Sequence, residues 1–116
     1  MTFDVVGLCR REPDADALIS AIRAASPLSE VEVDEDRMLF LLRHPGGRVV
    51  LTIENARSVR VPGEVRRLLG IDVPPPVWWV ESRAPEDDAE AEAEAIARGF
   101  TAALVAATGG SSWSSR

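Results

Sequence analysis

Residues 38–55, MLFLLRHPGGRVVLTIEN, decide the fold. Met38 to Arg43 is an apolar run of strand length, and His44-Pro45-Gly46-Gly47 is a turn signal in which Pro fixes φ and Gly admits positive φ. From Arg48 to Asn55 the apolar residues Val49, Leu51 and Ile53 alternate with other side chains, which places them on one face of a partner strand. A turn this short joins antiparallel neighbours, so the core of the fold is an antiparallel sheet. Upstream, Glu30 to Asp34 alternates acid and valine. That pattern predicts a half-buried strand with Val31 and Val33 inward, joined to the next through a Glu35-Asp36 turn. Ser58 to Val61 extends the second hairpin strand or adds a short one.

Outward from the hairpin, residues 2–9 (TFDVVGLC) are apolar on both faces, as expected of a central strand. Pro13 and Asp14 open a helix that runs to about Ser26, with Ala15, Leu18, Ile19, Ile22 and Ala25 on one stripe and Pro27 as the stop. Pro62-Gly63 breaks the chain, Glu64 to Leu69 forms one or two helical turns ended by Gly70, and Pro74-Pro75-Pro76 is a stiff extended connector. Val77 to Val80 reads as a strand. The last helix starts near Pro85 or Glu86 and ends at Gly109, with Ala89, Ala93, Ile96, Ala97, Phe100, Ala103, Leu104 and Ala107 as its apolar stripe. Glu94 and Arg98 form an i, i+4 pair on its outer face.

The resulting expectation is an α+β fold in one domain over residues 1–116. Its mostly antiparallel sheet has about five strands, with two main helices on one face. The element order is β-α-β-β-β-short α-β-α, and a short flexible polar tail begins at about residue 110.

Composition narrows the function classes. Hydrophobic residues make up 46% and charged residues 28%, which supplies one core and excludes a disordered or fibrous chain. The net charge of −6 repels phosphate backbones, so nucleic acid is not an expected partner and a basic protein is. All 13 basic residues are Arg; the absence of Lys excludes Schiff-base chemistry and a Walker-type phosphate lysine. Together with abundant Ala and no Tyr, it suggests a GC-rich bacterial genome. The one cysteine, Cys9, leaves no intrachain disulfide. It equally excludes a zinc site built from four cysteines, or from two cysteines and two histidines. The first residues lack the basic and apolar regions of a signal peptide, and no apolar run approaches the ~20 residues of a membrane span. The expectation is a cytoplasmic protein with no membrane partner.

Several residue groups could carry chemistry. His44, the single histidine, precedes a Pro-Gly-Gly turn and reads as a turn residue with no nucleophile in a recognisable motif. Cys9 is followed by Arg10 and Arg11, which would lower a thiol pKa; a phosphatase loop would need Arg where Ala15 stands. Glu90, Glu92 and Glu94 alternate on a helix, and i, i+2 side chains diverge there, so they do not converge on a metal. The acids do cluster: 11 of 19 fall within residues 30–36 and 86–94. Glu86, Asp87 and Asp88 also suit a helix start, where the dipole favours negative charge. Trp78 and Trp79 are adjacent on a strand and face opposite ways, one into the core and the other onto the far sheet face, where it is either half-covered or an exposed binding anchor. The candidate partner-binding residues are therefore Glu30, Glu32, Asp34, Glu35, Asp36, Glu86, Asp87, Asp88, Glu90, Glu94, Trp78 and Trp79. No catalytic, cofactor-binding or metal-binding residue is expected.

The last third carries a broader pattern: Val77-Trp78-Trp79-Val80-Glu81, an acidic helix start, Ala97-Arg98-Gly99-Phe100-Thr101-Ala102-Ala103-Leu104, then Thr108-Gly109-Gly110 and Trp113. Over residues 77–113 it resembles small actinobacterial α+β proteins and the immunity proteins of polymorphic toxins. In such proteins the segment after Gly-Gly often enters a last strand, and the resemblance carries over no functional residue. The expected function is a non-enzymatic protein-binding module, an immunity-type inhibitor of a basic protein. The alternative is a self-associating, homodimeric scaffold module.

Overall fold

The computed structural model describes residues 3–85 and 90–115. Its elements are β1 (Phe3–Cys9), α1 (Ala15–Ala25), β2 (Glu30–Asp34), β3 (Leu39–Arg43), β4 (Val49–Glu54), β5 (Arg57–Val59), α2 (Glu64–Leu69), β6 (Val77–Ala84), α3 (Glu90–Thr108) and β7 (Gly110–Ser114). The α+β class holds. The sheet has seven strands rather than about five, in the order β2-β3-β4-β6-β1-β7, and all the pairings are antiparallel. The first extra strand, β5, continues β4 along the same neighbour: Thr52 and Ile53 face Arg83 and Ser82, and Arg57 to Val59 face Trp79 to Val77. The second is β7, which stands in place of the expected flexible tail.

Local chemistry explains the boundaries. The Asp14 carboxylate accepts from the Ala17 backbone N–H at 2.8 Å and caps α1. Its buried stripe is Leu18, Ala21 and Ile22, with Ala17 and Ala25 half-buried; Ala15, expected inside, is exposed. The rotation follows from the neighbour, because α1 packs mainly on the small residues of α3 rather than flat on the sheet. Along α3 the core face is Ala93, Ile96, Ala97, Phe100, Thr101, Leu104 and Thr108, and Ala107 lies exposed. The expected helix start at Pro85 or Glu86, with Ala89 on the stripe, falls partly outside the described residues.

Gly109 ends α3 in the left-handed region (φ 75°), its N–H reaching Val105 O at 2.8 Å. Gly110 then turns directly alongside β1, opposite Cys9, with φ 125°. A Cβ there would lie 1.9 Å from Leu8 O, so only glycine allows β7 to start so close to the helix. The Gly-Gly pair is thus a helix cap and also the entry to a strand.

Two cores flank the sheet. One joins Phe3, Val5 and Cys9 of β1 to Leu42, Ile53 and Val80 beneath α1 and α3. The other joins Val6 and Leu8 to Val59, Val65, Val77 and Trp79, under α2 and the segment carrying Ile71 and Val73. Both main helices do share one face, and α2 covers half of the other.

Candidate functional site at the open sheet edge

Coverage of the sheet is uneven, and the unevenness defines the site. The helix α3 packs on β1, β6 and β7 and reaches β4, whereas no helix packs broadly on β2. Among the described strands β2 has one neighbour, β3, so alternate backbone N–H and C=O groups along it face outward.

The register fixes what each side chain of β2 does. Val31 lies opposite Leu42 and Val33 opposite Phe40, and these in turn lie opposite Leu51 and Ile53 of β4. Directly paired residues share a face, so Val31 and Val33 sit on the helix-bearing face, as alternation predicts. They are nevertheless 38% and 57% exposed, which corrects the expectation that they point inward into a core. The sheet runs past the end of its helical cover, and among the described residues no helix packs broadly on the face these residues share. Of the six large apolar side chains exposed among the described residues, four lie along this edge: Leu28 at 80%, Val31, Val33 and Met38 at 60%. Met38 holds φ 57°, uncommon for a residue with a side chain, and its carbonyl accepts from Asn55 N at 3.1 Å. A hollow of about 210 Å³ opens here, with Val33, Met38 and Phe40 as its apolar wall and Asp34 and Glu35 at its rim.

The acids frame this apolar strip. Glu30 and Glu32 are exposed and share the opposite sheet face with Arg43, Leu41 and Leu39. Glu32 Oε2 accepts from Arg43 Nε at 2.8 Å, and Asp34 lies 3.6 Å from Arg37 Nε. Glu30, Glu35 and Asp36 make no ion pair among the described residues.

One residue of the second acidic stretch, Glu92, is brought to the turn that follows β3. His44 closes the β3–β4 turn, bonding Arg48 and Gly47 through its backbone, and its Nε2 lies 2.7 Å from Glu92 Oε1 near the start of α3. Glu32–Arg43 and His44–Glu92 therefore connect the two acid-rich segments through adjacent residues of β3 and its turn. A cleft of about 350 Å³ lies beside this connection, between His44, Pro45 and Glu92 on one side and Pro27 and Leu28 on the other. The sequence marks His44 as a turn residue only; no local pattern signals a partner 48 positions away. Glu94 instead holds Arg98 Nη2 at 3.2 Å. Glu86, Asp87 and Asp88 lie outside the described residues, as does the side chain of Glu90.

Neither tryptophan is an exposed anchor. They do face opposite ways, but α2 and its following segment cover the far face. Trp79 is 4% exposed, stacked under the Arg57 guanidinium at 5.0 Å, with its Nε1 donating to Glu81 Oε1 at 3.3 Å. Trp78 is half-buried against the helix-side core.

Cys9 is fully buried, and burial pushes its thiol above the ordinary range, against the lowering that Arg10 and Arg11 suggested. Those arginines serve the end of α3 instead. Their backbone N–H groups bond Gly109 O and Thr108 O, and the Arg11 guanidinium bonds Ala107 O. Among the described residues no group of three His, Cys, Asp or Glu side chains is placed to hold a metal ion, and no helix is long and apolar enough to cross a membrane.

No family model, curated protein or solved structure matches this chain.

Proposed function

We propose that this chain is a protein-binding module whose partner is a basic protein and whose binding surface is the β2 edge with its acidic frame. One observation carries the reading: an uncovered edge strand on which apolar and acidic side chains alternate, beside further exposed acids and the exposed Leu28 and Met38. Open edge strands are usually blunted by charges, a proline or a bulge; β2 (EVEVD) has no proline and pairs with β3 in unbroken register, and its three carboxylates all lie on one face, which leaves the valine face apolar. The acids raise solubility and steer a basic partner, while the valines supply area to bury once it arrives. An immunity-type inhibitor, which the resemblance of residues 77–113 implies, is the form of this function that suits a basic target enzyme.

The test has two stages. Light scattering on the pure protein is expected to give a monomer. Immobilised protein then meets a host extract, and the expectation is retention of a basic protein that is released by high salt and is not retained by the V31T/V33T variant. A salt-insensitive homodimer with β2 at its interface overturns the reading in favour of self-association.

A further inference from the structure

We infer that β2 binds by strand addition, taking an extended partner segment in which Arg or Lys alternates with β-branched apolar residues. This rests on the protein-binding reading above and specifies its mode.

Three features converge on that occupant. The edge offers unpaired backbone donors and acceptors along five residues, which only another extended chain can satisfy in series. The side chains are sorted by face: Val31 and Val33 continue the apolar row of Phe40 and Leu42, and Glu30, Glu32 and Asp34 occupy the other face. An added strand with period-2 alternation would lay its apolar residues beside the valines and its cations beside the carboxylates.

The same parity disfavours a second copy of β2 as the added strand. Valine stands at the odd positions and acid at the even ones. Any register, parallel or antiparallel, that sets valine against valine therefore sets carboxylate against carboxylate. Antiparallel pairing centred on Glu32, for example, places Glu32 opposite Glu32 and Glu30 opposite Asp34. Like charges directly opposed across a strand pair are destabilising. The charge pattern thus disfavours self-pairing and complements a basic strand.

The experiment uses the full chain, isotopically labelled, and three blocked ten-residue peptides. The first alternates arginine with valine and threonine. The second has glutamate at the arginine positions. The third is the first with alternate backbone amides N-methylated on its hydrogen-bonding edge. The expected result is that the first peptide shifts the backbone amide signals of residues 30–34 and slows their hydrogen exchange. The other two should bind at least tenfold more weakly, and the E30K/E32K variant should reverse the preference between arginine and glutamate peptides. Equal binding of the N-methylated peptide, or shifts centred away from β2, overturns strand addition, as does failure of the arginine peptide to bind. If a basic protein is still captured by the wild-type chain in those cases, the protein-binding reading survives and only its mode is wrong. Slowed exchange in residues 30–34 of the pure protein as its concentration rises overturns both.

Discussion

Among the described residues β2 and β7 are the two ends of the main strand order, and the chain treats them differently. Both are five residues long and each pairs with one neighbour. β7 pairs with the buried strand β1. Its Trp113 sits opposite Val6 and packs into the far-face core, and α3 lies against its other face. Ser114 accepts from Arg98 at 3.4 Å, and the Ser115 N–H bonds Asp4 O at 2.9 Å. Its remaining residues, Gly110, Ser111 and Ser112, are small and exposed. β2 carries large apolar residues on the helix side and acids on the other, and among the described residues no helix packs broadly on either face. An edge is therefore not a site because it is an edge. β7 is closed by what packs on its faces, and β2 is left open by the lack of such packing.

The sharpest way to break this comparison is Gly110→Ala. The added Cβ would collide with Leu8 O, at a backbone angle that L-residues rarely adopt. Loss of about 3 kcal/mol or more is expected by chemical denaturation, with β7 released from β1. Cys9 lies opposite Gly110 and is buried, with its thiol held protonated, so a thiol reagent reports the release directly. Wild type should label only through unfolding, and the variant much faster. Equal labelling rates would mean that β7 does not shield β1.

Trp113→Ala removes the side chain that anchors β7 to the far-face core. Because that side chain is half-buried, roughly 2 kcal/mol is expected rather than the 3–5 kcal/mol of a fully buried tryptophan. The matching change at the other edge, V31T/V33T, should lower the unfolding free energy by no more than about 0.5 kcal/mol, because both valines already meet water. If the valine changes cost as much as the tryptophan change, β2 is covered in solution and the contrast between the edges fails.

These two edges also mark how far the sequence can be read. Alternation in Glu30 to Asp34 identifies a strand and assigns Val31 and Val33 to the correct face. It cannot show that α1 and α3 stop short of that strand, because cover depends on where distant elements dock. The hairpin, α1, α2, the end of α3 and the first half of β6 are legible from period and punctuation; β6 runs on to Ala84, past the expected Val80. β7 is not, since three serines and a glycine carry little strand preference and the strand exists through pairing with β1; only the resemblance of residues 77–113 implies a last strand there. The tryptophans show the same limit: opposite faces follow from adjacency, but the burial of Trp79 follows from the far-face cluster that includes Val65 of α2, and the half-burial of Trp78 from the helix-side core, and no local pattern records either docking. At the candidate site the acids of residues 30–36 stand out by clustering, and the link through His44 to Glu92 emerges only in three dimensions.

The smallest expected effect concerns the charges on β2 itself. Glu32 and Arg43 form an exposed ion pair at 2.8 Å, so Glu32 is partly occupied before any partner arrives. A double-mutant cycle with Glu32→Gln and Arg43→Gln should give a stability coupling of about 0.2–1 kcal/mol, falling as salt is added. The consequence for binding has the opposite sign. With Arg43→Gln alone, Glu32 loses its intramolecular partner and the local field becomes more negative, so a basic strand should bind more tightly while stability falls slightly. At the other edge, changing Arg98 should not tighten binding of the same peptide, because Arg98 serves Glu94 and Ser114 beside β7. Tighter binding in the Arg98 variant would mean that net charge, rather than the pattern on β2, selects the partner.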